Sequence, residues 1–314
     1  MRYVTIAELS DIIRRNLWKI PHDIDLVVGV PRSGMLPATM IALYLNTNLG
    51  DWENLLEDKL FAIGRTRQSF MNHHEIKKVL VVDDSVMSGG SITAVKEKLE
   101  PISSKYDFTY LTPISSSNGT QYVDIFFEVI DDSRIFEWNL FHHSYLINAC
   151  FDLDGVICCD PKIDDDGEKY VHFLETATPL FVPTAPIDTI ITCRLEKYRK
   201  QTETWLSKNN INYQKLIMLN LPTKADRIKW GKHGEYKGKY YKKSHCNIFI
   251  ESSFHQAQII AKISGKFVIC IETNSVVRPQ TSLQQKIKNR LRSYLPVFFI
   301  KIYSKLKQAR KNGN

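Results

Sequence analysis

Two consecutive α/β domains with mainly parallel sheets, followed by a basic amphipathic helical tail, are the fold class this sequence predicts. Three observations predict it. Short buried apolar runs alternate with segments of helical period. The alternation restarts near the middle of the chain, at INACFDL (147–153). The length, 314 residues at 43% hydrophobic, suits about two cores of ordinary size.

Thr5-Ile-Ala-Glu8 reads as a capping box opening an amphipathic helix to about Trp18. DIDLVVGV (23–30) is a buried strand, followed by a turn and an apolar helix from about Gly34 to Leu45. KVLVVDD (78–84) is a second such strand; a Ser/Gly turn and a helix from about Ser91 to Leu99 follow. FTYLTPI (108–114) and YVDIFFEVI (122–130) read as further strands. The second series runs INACFDL, IDTIIT (187–192), a helix over 195–208, KLIML (215–219), NIFIE (247–251), a helix over 254–263 and KFVICI (266–271). The expected boundaries are 1–145, 146–278 and 279–314, with no low-complexity linker and no internal repeat.

The net charge of +8 is uneven: residues 273–314 hold ten Lys or Arg and no acid, leaving −2 for residues 1–272. The basic character belongs to the tail, so specific nucleic-acid binding by the globular part is not expected. The six cysteines form no CxxC pair and no metal-ligand spacing with histidine, and read as reduced cytosolic thiols. His142, His143, His172 and His245 read as ordinary surface or boundary residues. No secretion signal and no run of about 18 apolar residues is present, so a cytoplasmic protein is expected.

In LVVDDSVMSGGSIT (80–93) a buried strand delivers Asp83 and Asp84 to its carboxyl end. The turn from Ser85 to Ser91 then offers hydroxyls, glycines and a helix N-terminus, a cradle for phosphate. Two carboxylates beside it suit the vicinal hydroxyls of a ribose, and strand tips are where open α/β sheets bind ligands. The stretch resembles the phosphoribosyl pyrophosphate (PRPP) motif of type I phosphoribosyltransferases. The resemblance makes Asp83 and Asp84 ribose binders and gives the 5-phosphate to Ser85, Ser88, Gly89, Gly90 and Ser91. GVPRSG (29–34) resembles that family's pyrophosphate loop, with Arg32, Ser33 and Gly34 facing the leaving group, and Mg²⁺ bridging pyrophosphate and ribose oxygens. GRTRQS (64–69) offers Arg65 or Arg67 to a loop closing over pyrophosphate, or two merely solvated arginines. The chemistry implied is displacement of pyrophosphate at C1 through an oxocarbenium-like state, driven by positioning and electrostatics. No stretch matches a nucleobase pocket.

CFDLDGVICCD (150–160) resembles the first motif of the haloacid dehalogenase superfamily. By that resemblance Asp152 is the nucleophile that forms an aspartyl-phosphate, and Asp154 protonates the leaving alcohol and then activates water. A spacing of two lets both carboxylates address one phosphorus. TIITCR (189–194) supplies Thr192 for a phosphoryl oxygen. The required lysine is assigned to Lys237 by its distance from the next strand; Lys239, Lys242 and Lys243 remain candidates. NIFIESS (247–253) gives Glu251, with Ser252 where a second acid is common; Mg²⁺ is expected on Asp152, Asp154 (through its carbonyl) and Glu251, with waters filling the octahedron. Together the two resemblances imply a type I phosphoribosyltransferase-like fold, then a Rossmann-like haloacid dehalogenase fold with little or no cap, since 158–186 is about the only insertion.

From Ser282, the tail places Leu283, Ile287, Leu291 and Leu295 four apart among cations, then Pro296 and an aromatic run, the profile of an interfacial helix on anionic lipid. A transferase followed by a phosphatase would deliver a plain ribofuranosyl group. The order is similar to that of bacterial pairs implicated in placing β-ribofuranose into surface polysaccharides. A glycan acceptor, lipid-linked, is therefore expected, at the inner face of the membrane. A nucleobase- or nucleotide-salvage transferase with a fused nucleotidase and a PRPP-sensing regulator are the alternatives.

Overall fold

The computed structural model describes residues 1–57, 59, 76–162 and 166–279. Arg65, Arg67 and the segment 282–311 lie outside the described residues. The chain divides between His143 and Ser144 into two compact units.

The first unit runs β1 (Arg2–Val4), α1 (Ile6–Asn16), β2 (Leu26–Gly29), α2 (Met35–Leu45), β3 (Asn48–Asp51), α3 (Trp52–Leu56) and β4 (Lys78–Val82). It continues through β5 (Ser85–Val86), α4 (Gly90–Leu99), β6 (Asp107–Ser115), β7 (Ile125–Val129) and β8 (Arg134–Phe136). Thr5 caps α1 by accepting from Glu8 N, and the helix buries Leu9, Ile12 and Ile13. The main sheet has the order β3-β2-β4-β6, all parallel, with β7 on the far edge of β6. β4 and β5 lie along the same edge of β6 in one register, Lys78 opposite Asp107 and Ser85 opposite Ile114. The ladder is interrupted only at Asp83 and Asp84. A two-stranded parallel ribbon, β1 with β8, completes the unit.

Burial on both faces explains the unbroken apolar runs of β2 and β4. Val27, Leu80 and Val82 face the side covered by α1 and α2, whereas Leu26, Val28, Val79 and Val81 face Leu55 of α3 and Ile92, Val95 and Leu99 of α4. The result is helix, sheet and helix in three layers.

The second unit runs β9 (Ala149–Phe151), α5 (Glu168–Thr176), β10 (Ile187–Leu195), α6 (Arg199–Lys208), β11 (Tyr213–Leu219), α7 (Lys224–Trp230) and α8 (His233–Lys243). β12 (Ile248–Glu251), α9 (Phe254–Ser264), β13 (Phe267–Cys270) and β14 (Ser275–Val277) follow. The sheet order is β11-β10-β9-β12-β13-β14, parallel except for the last strand. β9 is central, and the chain leaves it first to one side and later to the other, so a topological switch point lies at its carboxyl end. Where a helix is expected over 195–208, β10 extends through Leu195, a 3₁₀ turn follows, and the α-helix begins only at Arg199. The insertion after β9 carries α5, whose Tyr170 and Leu174 pack on Leu195, Tyr198 and Leu219.

Candidate functional site

In the first unit the loops after β2 and β4 converge at the switch point between these strands. Val30 N donates to Val82 O at 2.9 Å, and Asp83 N donates to Leu111 O at 3.1 Å, so both loops leave the sheet at one level. Gly34 sits where a side chain has no room: a Cβ would stand 2.6 Å from Val30 O and 2.7 Å from Val82 O. Gly34→Ala is therefore expected to cost about 1–3 kcal/mol; an unchanged urea midpoint would show that the loops part without penalty. The Pro31–Arg32 peptide is cis, Arg32 is exposed, and Ser33 hydrogen-bonds Asp84.

Asp83 and Asp84 are both buried at this edge. Burial, and then the charge of Asp84, pushes the Asp83 carboxyl up to about 6, although Asp84 N and Ser91 donate to it. Asp84 is likewise raised by burial, against hydrogen bonds from Trp138, Ser33 and the Ser85 backbone and the nearby Arg134 guanidinium. Trp138 Nε1 donates to Asp84 Oδ2 at 3.1 Å. Beyond the pair, Gly89, at φ 79°, begins α4 without a side-chain cap. Ser88, Gly90 and Ser91 are exposed, and a Cβ on Gly90 would touch nothing within 4 Å. The α4 N-terminus thus opens onto solvent beside two carboxylates, an arrangement able to receive an anion and hydroxyl groups together.

A cavity of about 270 Å³ adjoins the pair, lined among others by Ser33, Asp84, Met87, Arg134 and Asn139. Arg134 Nη1 and Asn139 Oδ1 are buried without a hydrogen-bond partner among the described residues. Sequence reasoning missed Arg134, Trp138 and Asn139. They follow the last sheet strand, and no spacing ties them to Asp84; the one local signal is an arginine opening an apolar triplet, Arg134-Ile-Phe.

In the second unit Asp152 follows β9 directly and Glu251 ends β12; the register places them side by side, since Phe151 pairs with Ile250. Lys237, from α8, bridges them: Nζ is 2.7 Å from Asp152 Oδ2 and 2.9 Å from Glu251 Oε2. All three are buried. Burial and then Glu251 raise Asp152 well above the ordinary carboxylate range, against the pull of Lys237. Burial alone would discharge Lys237, but Asp152 and Glu251 outweigh it and hold the ammonium. Lys239, Lys242 and Lys243 are exposed on the same helix. α8 seats its lysine by lying close to α9: Cβ atoms at Gly234 and Gly238 would approach Ile259 and Ile263 to 3.0 and 3.1 Å.

Asp154 does not join that triad through its carboxylate. Its oxygens take the Arg194 guanidinium at 2.7–3.1 Å, and Arg194 Nη2 also reaches Cys158 Sγ at 3.1 Å. Burial opposes the charge of Arg194, and Asp154 more than offsets it. Thr192 is buried and accepts from Arg194 N at 3.1 Å. Gly155, at φ 75°, lets the chain double back; a Cβ there would meet Ser252 at 2.7 Å and Asp160 Oδ2 at 2.8 Å. Burial and then Asp154 raise the Asp160 carboxyl, which also feels Lys237 and Glu251. Arg194 and Asp160 were not singled out in the sequence; Arg194 is the ion-pair partner of Asp154, and Asp160 is a further carboxylate within its field.

Magnesium takes hard oxygen donors in octahedral geometry. The adjacent carboxylates of Asp152 and Glu251 offer donors of that kind, whereas the Asp154 side chain is held by Arg194, which leaves only its expected backbone carbonyl for the ion.

No protein-family model matches the sequence. A curated relative, the transcriptional regulator GfcR of Methanococcoides burtonii, is 32% identical over 99 residues, which is 30% of this chain and 47% of that protein. The chain thus spans about half the length of the curated relative it matches. Similar solved structures include the purine phosphoribosyltransferase of Pyrococcus horikoshii, 18% identical, covering 44% of this chain and 92% of that one at a TM-score of 0.33. The xanthine-guanine-hypoxanthine phosphoribosyltransferase of Helicobacter pylori is 20% identical with the same coverage and TM-score. The orotate phosphoribosyltransferase of Aeropyrum pernix is 24% identical, covering 36% and 59% at a TM-score of 0.26.

Proposed function

We propose that the chain transfers 5-phosphoribofuranose from PRPP to a glycan acceptor, lipid-linked, and then removes the 5-phosphate to leave β-ribofuranose. The observation that carries the reading is that one chain holds two strand-tip sites of complementary chemistry. One is Asp83 and Asp84 beside the open α4 N-terminus. The other is the buried Asp152–Lys237–Glu251 triad.

In the first step Asp83 and Asp84 orient the ribose hydroxyls, and the loop from Ser85 to Ser91 holds the 5-phosphate. Arg32 and Ser33 face pyrophosphate as the C1–O bond opens and the acceptor hydroxyl closes on C1. In the second step Asp152 attacks phosphorus, Lys237 balances the growing negative charge, and Thr192 binds a phosphoryl oxygen. Asp154, steered by Arg194, gives a proton to the leaving alcohol oxygen and then takes one from the water that attacks the aspartyl-phosphate. Bound magnesium would neutralise phosphoryl charge beside Asp152 and Glu251. Segment 282–311, cationic and aromatic, would hold the enzyme at the anionic surface that carries its acceptor.

A second reading, a PRPP-responsive regulator, has in its favour the name of the curated relative. One assay separates them: release of pyrophosphate and phosphate from PRPP and Mg²⁺, with a lipid-linked oligosaccharide or a nucleobase panel as acceptor. Asp152→Asn is expected to keep glycan-dependent pyrophosphate release, lose phosphate release about 1000-fold or more, and accumulate a phosphorylated ribosyl product. Turnover only with a nucleobase would point to salvage. PRPP binding without turnover would point to the regulator.

A further inference from the structure

A different set of side chains meets at the opposite, amino end of the second sheet. Asp188 is the second residue of β10, and His245 and Cys246 lie just before β12. Asp188 is 1% exposed. Its Oδ1 accepts from Thr189 Oγ1 at 2.6 Å and from Cys246 Sγ at 3.0 Å. Its Oδ2 is buried and has no hydrogen-bond partner among the described residues. His245 Nε2 nevertheless stands 3.1 Å from Oδ2, on a side chain 64% exposed. One donor atom from each of the three residues lies within 4.8 Å of the other two.

A buried carboxylate oxygen faced only by an exposed imidazole is poorly satisfied and favours a cationic partner. Here an imidazole nitrogen stands beside that oxygen and a sulfur beside the other oxygen of the same carboxylate. Such a mixed set is wrong for magnesium, which takes oxygen alone, and right for a borderline-soft divalent ion such as zinc. Ligands about 2.0–2.3 Å from one zinc ion lie roughly 3–4 Å from one another, and the carboxylate stands 3.1 Å from the imidazole and 3.0 Å from the sulfur. The exposed imidazole supplies an entry path.

We propose that Asp188, His245 and Cys246 bind one Zn²⁺-class ion, with water in the fourth position. On binding, the Cys246 S–H bond breaks, its proton passes to solvent, and the sulfur becomes a thiolate ligand. The Cys150 thiol, which hydrogen-bonds Cys246 and lies 3.7 Å from Ser244 Oγ, then donates to that thiolate. The ion fastens the start of β10 to the segment entering β12. These are the two strands flanking β9, so it staples the sheet at the end opposite the phosphatase centre.

The test uses the full chain, stripped with a chelator under reducing conditions and titrated with Co²⁺ and then Zn²⁺. One equivalent of Co²⁺ is expected to give tetrahedral d–d absorption and a thiolate-to-metal charge-transfer band, both displaced by Zn²⁺. Cys246→Ser should remove the charge-transfer band. His245→Gln should weaken binding at least about 10-fold, the cost already typical of losing an outer-shell partner, and should reduce the rise in Tm on Zn²⁺ addition. Absence of the band at stoichiometric Co²⁺, or a band that persists in Cys246→Ser, would overturn the proposal. If Cys246→Ser does not fold, the exposed position carries the test: unchanged affinity in His245→Gln overturns it equally.

Discussion

Lys237→Met is expected to destabilise the second unit by about 3–5 kcal/mol at neutral pH, the usual cost of removing one partner from a buried ion pair, and to abolish phosphate release. The lysine ammonium is 2% exposed and touches two carboxylates that the strand register forces side by side. Methionine keeps the volume and removes the charge, leaving Asp152 buried against Glu251 with nothing between them. Asp152, already raised by burial and by Glu251, must then take up a proton to stay folded. The sign follows: an acid whose folded pKa lies above its unfolded one is bound more tightly to its proton in the fold, so stability falls as pH rises. The deficit should therefore be larger at pH 8 than at pH 5, measured by urea unfolding. A loss equal at both, or under about 1 kcal/mol, would mean that the triad is solvated in solution.

Asp83→Asn is expected to act in the opposite direction on stability and the same direction on function. Asp83 is pushed up to about 6 by burial and by Asp84, against an ordinary value near 4. Between those values the unfolded chain has lost a proton that the folded chain keeps. Stability therefore falls as pH rises through that window, by up to about 3 kcal/mol above it. Asparagine removes the penalty. The variant should gain about 1–3 kcal/mol at pH 7.5, nothing below about pH 4, and lose about 10- to 100-fold in PRPP affinity with one charged hydrogen-bond acceptor gone. Calorimetric titration with PRPP and urea unfolding across pH check both. A variant less stable at pH 7.5 would show that Asp83 is stabilised by its donors rather than strained by its neighbour.

The alternation of apolar runs and turns made the strands of both main sheets legible except the short β3, β5 and β14, because strands buried on both faces are continuous in sequence. What the sequence hid is instructive in each case. The strand expected over 187–192 runs on through Leu195 and carries Arg194, a charge that lies fully buried there because it pairs with Asp154, far back in the chain. Lys237 could be chosen among its neighbours only by distance, since burial against β9 and β12 is what distinguishes it. The ribbon of β1 and β8 joins three-residue segments from opposite ends of the unit, each too short to show a period. His245, read as a surface residue, is indeed exposed; its meaning comes from Asp188, on a different strand.

The central position of β9 bears on how the chain is made. One edge of β9 pairs with β10, which follows soon in synthesis, while the other waits for β12. Until Ile248–Glu251 leaves the ribosome, β9 offers a row of unpaired amides and carbonyls on an apolar strand, the kind of edge that recruits another chain. Its carboxyl end meanwhile presents Asp152 with neither Lys237 nor Glu251 in place. The nascent second unit thus lacks its second strand partner and its buried ion cluster together, and both arrive with the same few residues.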